Sequence, residues 1–216
     1  MKLIFFFLLL SQLATAKVLV VTDSHGEGAF GTRLVELVEQ SNEEISFYGV
    51  GGSTSRDWML GLEQIWGYWE YHTRGANIRS QKPKTPVFQN LLEKLSPDMV
   101  LIELGTNLIW KDLTLEDTSY IQQMIRQTLD SGAKCFWVGP PHLRPKNNDQ
   151  KRRVLEIHSI LEKEVEASGC RLIKSWELTQ YPETGGDGIH YDSIPNLGET
   201  LARGWAQSIF DELTHQ

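Results

Sequence analysis

Short apolar runs alternate with longer amphipathic stretches along this chain, and this alternation is the feature that most constrains its fold. Two of the runs, Met99-Val100-Leu101-Ile102 and Phe136-Trp137-Val138, contain no polar residue, which is typical of strands covered on both faces. A mainly parallel sheet with helices on both sides satisfies such a pattern. The sequence therefore predicts an α/β fold with three layers, an α/β/α sandwich.

The predicted elements follow one another without a linker or an internal repeat. Strands are predicted at residues 18–21, 45–50, 99–104, 134–138 and 171–174, and helices near residues 30–40, 118–130, 149–167 and 196–213. Roughly 200 residues suit one domain with a sizeable core. We therefore expect a single domain over residues 17–216.

The first sixteen residues resemble a leader for export. Lys2 precedes an apolar run from Leu3 to Leu10, and Ala14-Thr15-Ala16 is typical of a signal-peptide cleavage site. The alternative, a buried first strand, is disfavoured because no turn separates the run from Val18. The run is short for a membrane span, and the residue directly after Ala16 is not a cysteine, so a lipoprotein anchor is not indicated. We therefore expect a periplasmic or secreted protein without a stable membrane anchor.

Net charge and cysteine content restrict the kinds of partner, crosslink and metal site that this chain can have. The net charge of -7 argues against a nucleic-acid partner, because such partners require clustered Lys and Arg. Cys135 and Cys170 stand near the starts of two predicted strands, where neighbouring parallel strands bring them within disulfide reach. Two buried free thiols are the alternative. Two cysteines without paired histidines do not make a zinc site, and we predict no metal and no cofactor.

The predicted strand at residues 18–21 runs into a polar turn that contains Ser24. Ligands and reacting groups collect at the carboxyl ends of the strands of an α/β sheet, so Ser24 is a candidate nucleophile. A helix cap is the ordinary alternative. A nucleophilic serine needs a histidine base oriented by a carboxylate, and Asp187-Gly188-Ile189-His190 offers both.

Four blocks of this sequence together resemble the SGNH (GDSL-type) hydrolases. These blocks are Thr22-Asp23-Ser24-His25, Gly51-Gly52-Ser53-Thr54, Gly105-Thr106-Asn107, and Asp187 with His190. Their order and approximate spacing match over nearly the whole chain after the leader. The resemblance implies a flavodoxin-like sandwich and a serine esterase. The sequence departs from the family pattern at Thr22, where Gly is usual, and at Leu108, where Asp is common.

Three groups are predicted to stabilise the oxyanion that forms when a serine attacks an ester. They are the backbone N–H of Ser24, the backbone of Gly52 and the side chain of Asn107, with Gly51 as the alternative to Gly52. Ordinary turn chemistry also explains Gly and Asn at such positions. The order of the four blocks favours the catalytic interpretation.

The remaining histidines and acids are assigned minor roles. His142 follows a predicted strand and is predicted to line the substrate site, whereas His25 is expected to be structural or pocket-lining and Asp23 to be a structural hydrogen-bond partner. His72 and His158 are interpreted as surface or helix residues.

An unusually long connection spans residues 55–97 and is rich in aromatic residues. Two interpretations are open: a helix over residues 59–71 that buries its aromatic side chains, or a wall or lid over the site. Trp58 is predicted to contact substrate. The basic stretch over residues 75–86 is expected to be an exposed loop, which either meets acidic glycan or is simply solvated.

We expect an exported serine esterase that removes short acyl groups, with O-acetyl esters of carbohydrate or cell-wall glycan as the leading substrate. A lysophospholipase, thioesterase or other lipid esterase needs the same reacting groups. A catalytically silent glycan-binding module and a flavodoxin-like phosphate-binding domain are the alternatives outside this class. Oligomeric state is left open.

Overall fold

The computed structural model describes residues 15–81 and 84–214, and seven strands form one sheet in the order β4-β3-β2-β1-β5-β6-β7. The strands are β1 (Lys17–Thr22), β2 (Glu44–Val50), β3 (Gly67–His72), β4 (Asn77–Gln81), β5 (Met99–Glu103), β6 (Lys134–Val138) and β7 (Arg171–Ile173). The helices are α1 (Ala29–Gln40), α2 (Ser55–Leu60), α3 (Phe88–Leu95), α4 (Leu115–Asp130), α5 (Asn148–Glu166), α6 (Ser175–Leu178) and α7 (Gly198–Thr214). Residues 1–14 of the predicted leader lie outside the described residues.

The five strands predicted from sequence are all present and pair in parallel, so the mainly parallel α/β sheet is confirmed. Alternate residues of β1 face opposite layers. Leu19 and Val21 belong to a core shared with α2 to α5, and Val18 and Val20 belong to a core shared with α1 and α7. These two cores make the sheet the middle layer of a three-layer sandwich.

The long connection is not the predicted helix over residues 59–71. Helix α2 ends at Gly61, whose φ of 65° is left-handed, and the chain then forms an antiparallel hairpin of β3 and β4 on the free edge of β2. Aromatic residues suit strands as well as helices, and here they pair across the sheet. Residues 77–81 of the basic stretch are exposed, as expected, but they form the edge strand β4 rather than a loop.

Cys135 and Cys170 form a disulfide across thirty-five residues of sequence separation, which decides between the two alternatives. Cys135 lies early in β6, and Cys170 directly precedes β7. Both cysteines are therefore at the amino-terminal ends of the parallel strands, whereas Ser24 follows the carboxyl end of β1. In the chain-entropy model a loop of this size stabilises the fold by about 3–4 kcal/mol. The bond therefore fastens the outermost parallel strand to its neighbour.

None of the helices in the described part of the chain is long and apolar enough to cross a membrane.

Candidate active site

Three turns meet where β1, β2 and β5 end. Thr22 is in register with both Gly49 and Glu103, so the residues that follow these strands emerge side by side. Ser24 lies in a short 3-10 turn after β1, and Asn107 lies in another after β5. The chain thus brings together residues that are far apart in sequence.

Ser24, His190 and Asp187 form a hydrogen-bonded row. Ser24 Oγ lies 2.9 Å from His190 Nε2, and His190 Nδ1 lies 2.7 Å from Asp187 Oδ2. An ionised Asp187 accepts from Nδ1–H, which leaves Nε2 free to accept the Ser24 proton. The structure thus places the three predicted catalytic side chains in the geometry that their proposed roles require.

Asp187 is held ionised by the loop around it. Partial burial acts to raise its pKa, but the hydrogen bond with the His190 ring and the backbone N–H groups of Ile189 and His190 outweigh burial and lower the pKa to about 2. Both N–H groups donate to Oδ1 at 2.8 Å. A carboxylate that accepts several hydrogen bonds stays charged across neutral pH.

The loop that carries Asp187 and His190 is fastened by groups that the sequence pattern does not reveal. The Arg144 guanidinium donates to the carbonyls of Pro182 and Gly185 at 2.8 Å each. The Tyr181 hydroxyl accepts from the N–H of Gly188, whose φ of 93° favours glycine. These contacts fix the loop against the sandwich.

The backbone conformation and a close contact with Trp66, rather than access for substrate, require glycine at position 52. Its φ is 78°, and a Cβ on it would meet the Trp66 indole at 2.5 Å. The space beside Gly52 is therefore filled by Trp66. Gly52 lines the same cavity as Ser24 and Asn107, whereas Gly51 is not among the lining residues. This placement favours Gly52 over Gly51 as the predicted donor.

Asn107 links the three turns. Its Nδ2 donates to Asp23 Oδ2 at 3.2 Å and to the Ser53 carbonyl at 3.0 Å. Both amide hydrogens are directed at protein acceptors, so donation to a substrate oxyanion requires one of these bonds to be given up or shared. The Asn107 side chain thus has a structural role besides its predicted oxyanion role.

A buried carboxyl pair, Asp23 and Glu103, lies next to the predicted nucleophile, Ser24. Asp23 accepts hydrogen bonds from the His25 N–H and from Asn107, whereas neither Glu103 oxygen has a hydrogen-bond partner among the described residues. Burial raises the pKa of Asp23 to about 7, and burial together with the neighbouring Asp23 raises that of Glu103 well above its usual range. The donors act to lower the pKa of Asp23, and Glu103 has none in the described residues, so of the two carboxyls Glu103 holds a proton more tightly.

His25 is structural. Its ring packs edge-on against Trp205 at 5.2 Å, and the residue is buried. Burial, with a smaller contribution from the neighbouring His190, lowers its pKa to about 3, so the imidazole is neutral. A neutral ring beside His190 adds no competing base.

The departure from the family pattern at Thr22 is accommodated locally. The Thr22 hydroxyl donates to the Asp23 carbonyl at 3.1 Å, and its side chain occupies the space that a Cβ on Gly26 would need. Leu108 is buried in the core shared with α2 to α5. Neither side chain displaces a predicted reacting group.

Ser24 lines a cavity of about 560 Å³. Its lining residues are Ser24, Glu27, Gly52, Trp66, Gly67, Asn107, Trp110 and His190. Trp66 and Trp110 are 60% and 54% exposed, so one aromatic residue of the long connection does form a wall, as one interpretation expected. Glu27 and Trp110 were not anticipated from the sequence, although each lies three residues after a predicted site residue.

The structure contradicts the predicted substrate contact of Trp58 and does not place His142 in the cavity at Ser24. Trp58 has no exposed surface, because its indole packs in the core and donates to Ser53 Oγ at 3.0 Å. His142 lines a separate cavity, and its Nδ1 accepts from the Tyr181 N–H at 3.1 Å. Both residues support loops near the site instead.

Two other histidine assignments also change in detail. His72 belongs to strand β3, where it contacts Ser46, Tyr48 and Glu70. His158 lies on α5, as expected for a helix residue, and stacks on Trp176 with ring centroids 3.9 Å apart. Neither ring lines the cavity at Ser24.

Comparison with known proteins bears on the fold. No family model matches the chain, and no curated protein matches it in sequence. A GDSL-like lipase from Bacteroides thetaiotaomicron is 14% identical, with 92% of this chain and 89% of that chain covered at a TM-score of 0.58. The psychrotrophic esterase EstA from Pseudoalteromonas is 16% identical, with 93% and 100% covered at 0.55.

A family 3 carbohydrate esterase from Clostridium thermocellum is also similar in structure. It is 18% identical, with 92% of this chain and 98% of that chain covered at a TM-score of 0.55. The predicted fold is therefore confirmed: the chain has the same α/β/α sandwich fold as these esterase and lipase structures. At these identities the likeness concerns the fold, and function must be argued from the site.

We predict that Asn107→Ala lowers kcat by roughly 10²–10³, the range for one lost oxyanion donor. The measurement is steady-state hydrolysis of p-nitrophenyl acetate, with Asn90→Ala on the exposed face of α3 as the matched control. Loss of bonds to Asp23 and Ser53 also predicts a lower unfolding temperature. A rise in KM with unchanged kcat would remove Asn107 from the oxyanion hole.

We further predict that the free energy of unfolding of Glu103→Gln increases relative to that of the wild type as pH rises. A carboxyl pair with raised pKa values favours the folded state while it holds its proton and destabilises it as pH climbs from about 4 through about 7. The amide that this substitution introduces keeps a donor towards Asp23 at every pH. Urea unfolding at pH 4.5 and pH 8 should show the stability difference between variant and wild type shifting towards the variant by at least about 1 kcal/mol. A pH-independent difference would contradict a raised pKa for Glu103.

Proposed function

We propose that this protein is a serine ester hydrolase in which Ser24 is the nucleophile, His190 the general base and acid, and Asp187 the group that orients His190. The observation that carries the proposal is the row of hydrogen bonds from Ser24 through His190 to Asp187, 2.9 Å and 2.7 Å long, beside an open cavity. The fold likeness to esterases and a lipase supports the reaction class.

In the first step, Ser24 Oγ attacks the ester carbonyl carbon while His190 Nε2 accepts the hydroxyl proton. The carbonyl oxygen becomes an oxyanion, which the backbone N–H groups of Ser24 and Gly52 and the Asn107 amide would stabilise. The imidazolium then donates its proton to the leaving alcohol, and an acyl-enzyme remains.

In the second step, water attacks the acyl-enzyme. His190 Nε2 accepts a proton from the water, and the resulting tetrahedral intermediate collapses as the proton returns to Ser24 Oγ. The products are a carboxylic acid and the regenerated serine. Asp187, which stays ionised, stabilises the imidazolium in both steps.

We predict that Ser24→Ala and His190→Ala each lower turnover of a small activated ester by several orders of magnitude, because the three side chains act as a unit. Asp187→Ala should cost less. The measurement combines p-nitrophenyl acetate hydrolysis with labelling by a fluorophosphonate probe. The similar esterase EstA provides a precedent for inhibition by a phosphonate, since its structure is one inhibited by monoethylphosphonate. Ser159→Ala on an exposed face of α5 is the matched control.

Near-wild-type turnover by Ser24→Ala would contradict the nucleophile assignment. Absence of labelling in the wild-type protein would instead favour a glycan-binding module on the same fold.

We propose short acyl esters of carbohydrate, above all O-acetyl groups on glycan, as the substrate. Two half-exposed indoles, Trp66 and Trp110, border the cavity at Ser24, and aromatic faces suit the apolar faces of sugar rings. The leader pattern in residues 1–16 supports export, which would bring the protein to envelope or extracellular polymers. The similar carbohydrate esterase supports the same class.

We predict that activity on p-nitrophenyl esters is greatest for short acyl chains and that acetate is released from O-acetylated glycans, including peptidoglycan. Binding energy from remote sugar units can orient the ester at Ser24, so the polymer should give a higher kcat/KM than the small ester. Activity that rises steadily with acyl length, with no acetate released from any glycan, would instead support a lipid esterase or thioesterase.

A further inference from the structure

One carboxylate in the cavity has no part in the proposed reaction. Glu27 ends the 3-10 turn that begins at Ser24, so it lies three residues after the predicted nucleophile. Glu27 lines the same cavity as Ser24, His190 and Asn107. The sandwich thus places a fourth ionisable group beside the reacting serine.

Two glycines, one directly after β2 and one at the start of β3, make room for this carboxylate. A Cβ on Gly67, the first residue of β3, would overlap Glu27 Oε2, and a Cβ on Gly51 would lie 2.6 Å from Oε1. The Gly51 N–H donates to the Gly67 carbonyl at 2.9 Å, which holds the two backbones together. The Glu27 carboxylate is therefore seated in a fixed position against the sheet.

The same carboxylate lacks an ion pair within the described residues. The adjacent cation, Arg79, donates its Nη1 to the Glu27 backbone carbonyl at 2.8 Å, and its guanidinium lies over the Trp69 ring. Burial raises the pKa of Glu27, while Arg79 and the Gly51 backbone act in the opposite direction. A half-buried carboxylate of this kind retains lone pairs that favour further donors.

The flanking groups indicate what those donors belong to. Trp66 packs over Gly52 on one side of the cavity, and Trp110 follows Asn107 in the turn after β5. Two aromatic faces and one fixed acceptor suit a ligand with apolar faces and hydroxyl groups at its edge. A plain hydrocarbon alcohol would leave the carboxylate desolvated and unpaired, at a cost in binding.

We propose that Glu27 determines specificity by accepting a hydrogen bond from a hydroxyl group on the alcohol portion of the ester, while Trp66 and Trp110 cover that portion's apolar faces. This inference rests on the proposed esterase function and narrows it to esters of hydroxyl-rich alcohols. The same negative charge disfavours esters whose alcohol portion is anionic.

The test compares two acetates of similar shape, a 6-O-acetylated methyl glucoside and cyclohexylmethyl acetate. The wild-type protein should prefer the glucoside in kcat/KM. Glu27→Gln, which is nearly isosteric but uncharged, should lower that preference about tenfold, the equivalent of one weakened hydrogen bond to a charged group. Glu44→Gln, at the opposite end of β2, is the matched control and should leave the preference unchanged.

Gly67→Ala provides a second variant that keeps Glu27. The new Cβ would occupy the position of Oε2 and displace the carboxylate, so the preference should fall as in Glu27→Gln. Fluorophosphonate labelling of each variant gives the fraction of protein with a reactive serine and corrects kcat for misfolding. The loss should appear mainly as a higher KM for the glucoside.

Equal losses on the two acetates would overturn the inference, because Glu27 would then act on the reaction itself through His190. A wild-type preference for cyclohexylmethyl acetate would also overturn it while leaving the esterase proposal intact. No hydrolysis of either acetate and no labelling of the wild-type protein would overturn both proposals together.

Discussion

The buried Asp23 carboxylate is the interaction on which the rest of the site depends. It directly accepts from the His25 N–H in its own turn and from Asn107 in the turn after β5, and Asn107 in turn donates to the Ser53 carbonyl after β2. One charge thereby fixes the relative positions of three turns that carry Ser24, the predicted nucleophile, and both other predicted oxyanion donors. Burial of that charge is tolerated because the donors compensate part of its desolvation, and because Glu103 beside it holds a proton. The same pair makes the foundation of the site sensitive to pH.

The sequence was sufficient for the parts of the chain whose local pattern agrees with their final environment. The apolar runs of the five parallel strands and the amphipathic pattern of the long helices have one consistent solution, and predicted helix 30–40 differs from α1 by one residue. Ser24, Asp187 and His190 were predicted to lie together because a reactive serine demands particular partners, and the structure brings their side chains into hydrogen-bonding distance. The hairpin of β3 and β4 was missed because its aromatic residues suit a helix or a strand equally, and only pairing with β2 decides between them.

The errors in the site have the same origin. Trp58 and Trp66 stand in one aromatic stretch, yet Trp58 is buried against Ser53 and Trp66 is exposed over Gly52. Their difference follows from the end of α2 at Gly61, a tertiary detail that spacing does not encode. Glu27 has no local signal at all, because its position depends on Gly51, directly after β2, and on Gly67, at the start of β3.

The proposed reaction and its proposed specificity are therefore built by different parts of the fold. The reacting groups come from turns at the ends of parallel strands and from the loop before α7, which Arg144 fastens. Trp66, which borders the cavity, directly precedes the antiparallel hairpin at the sheet edge, and Gly67, which makes room for the Glu27 carboxylate, is the first residue of that hairpin. Arg79 of β4 donates a hydrogen bond to the Glu27 carbonyl, so the hairpin also contacts the turn that contains Ser24. Because the hairpin contributes none of the reacting groups, its sequence can change the alcohol that is accepted while the hydrogen bonds from Ser24 to Asp187 stay in place.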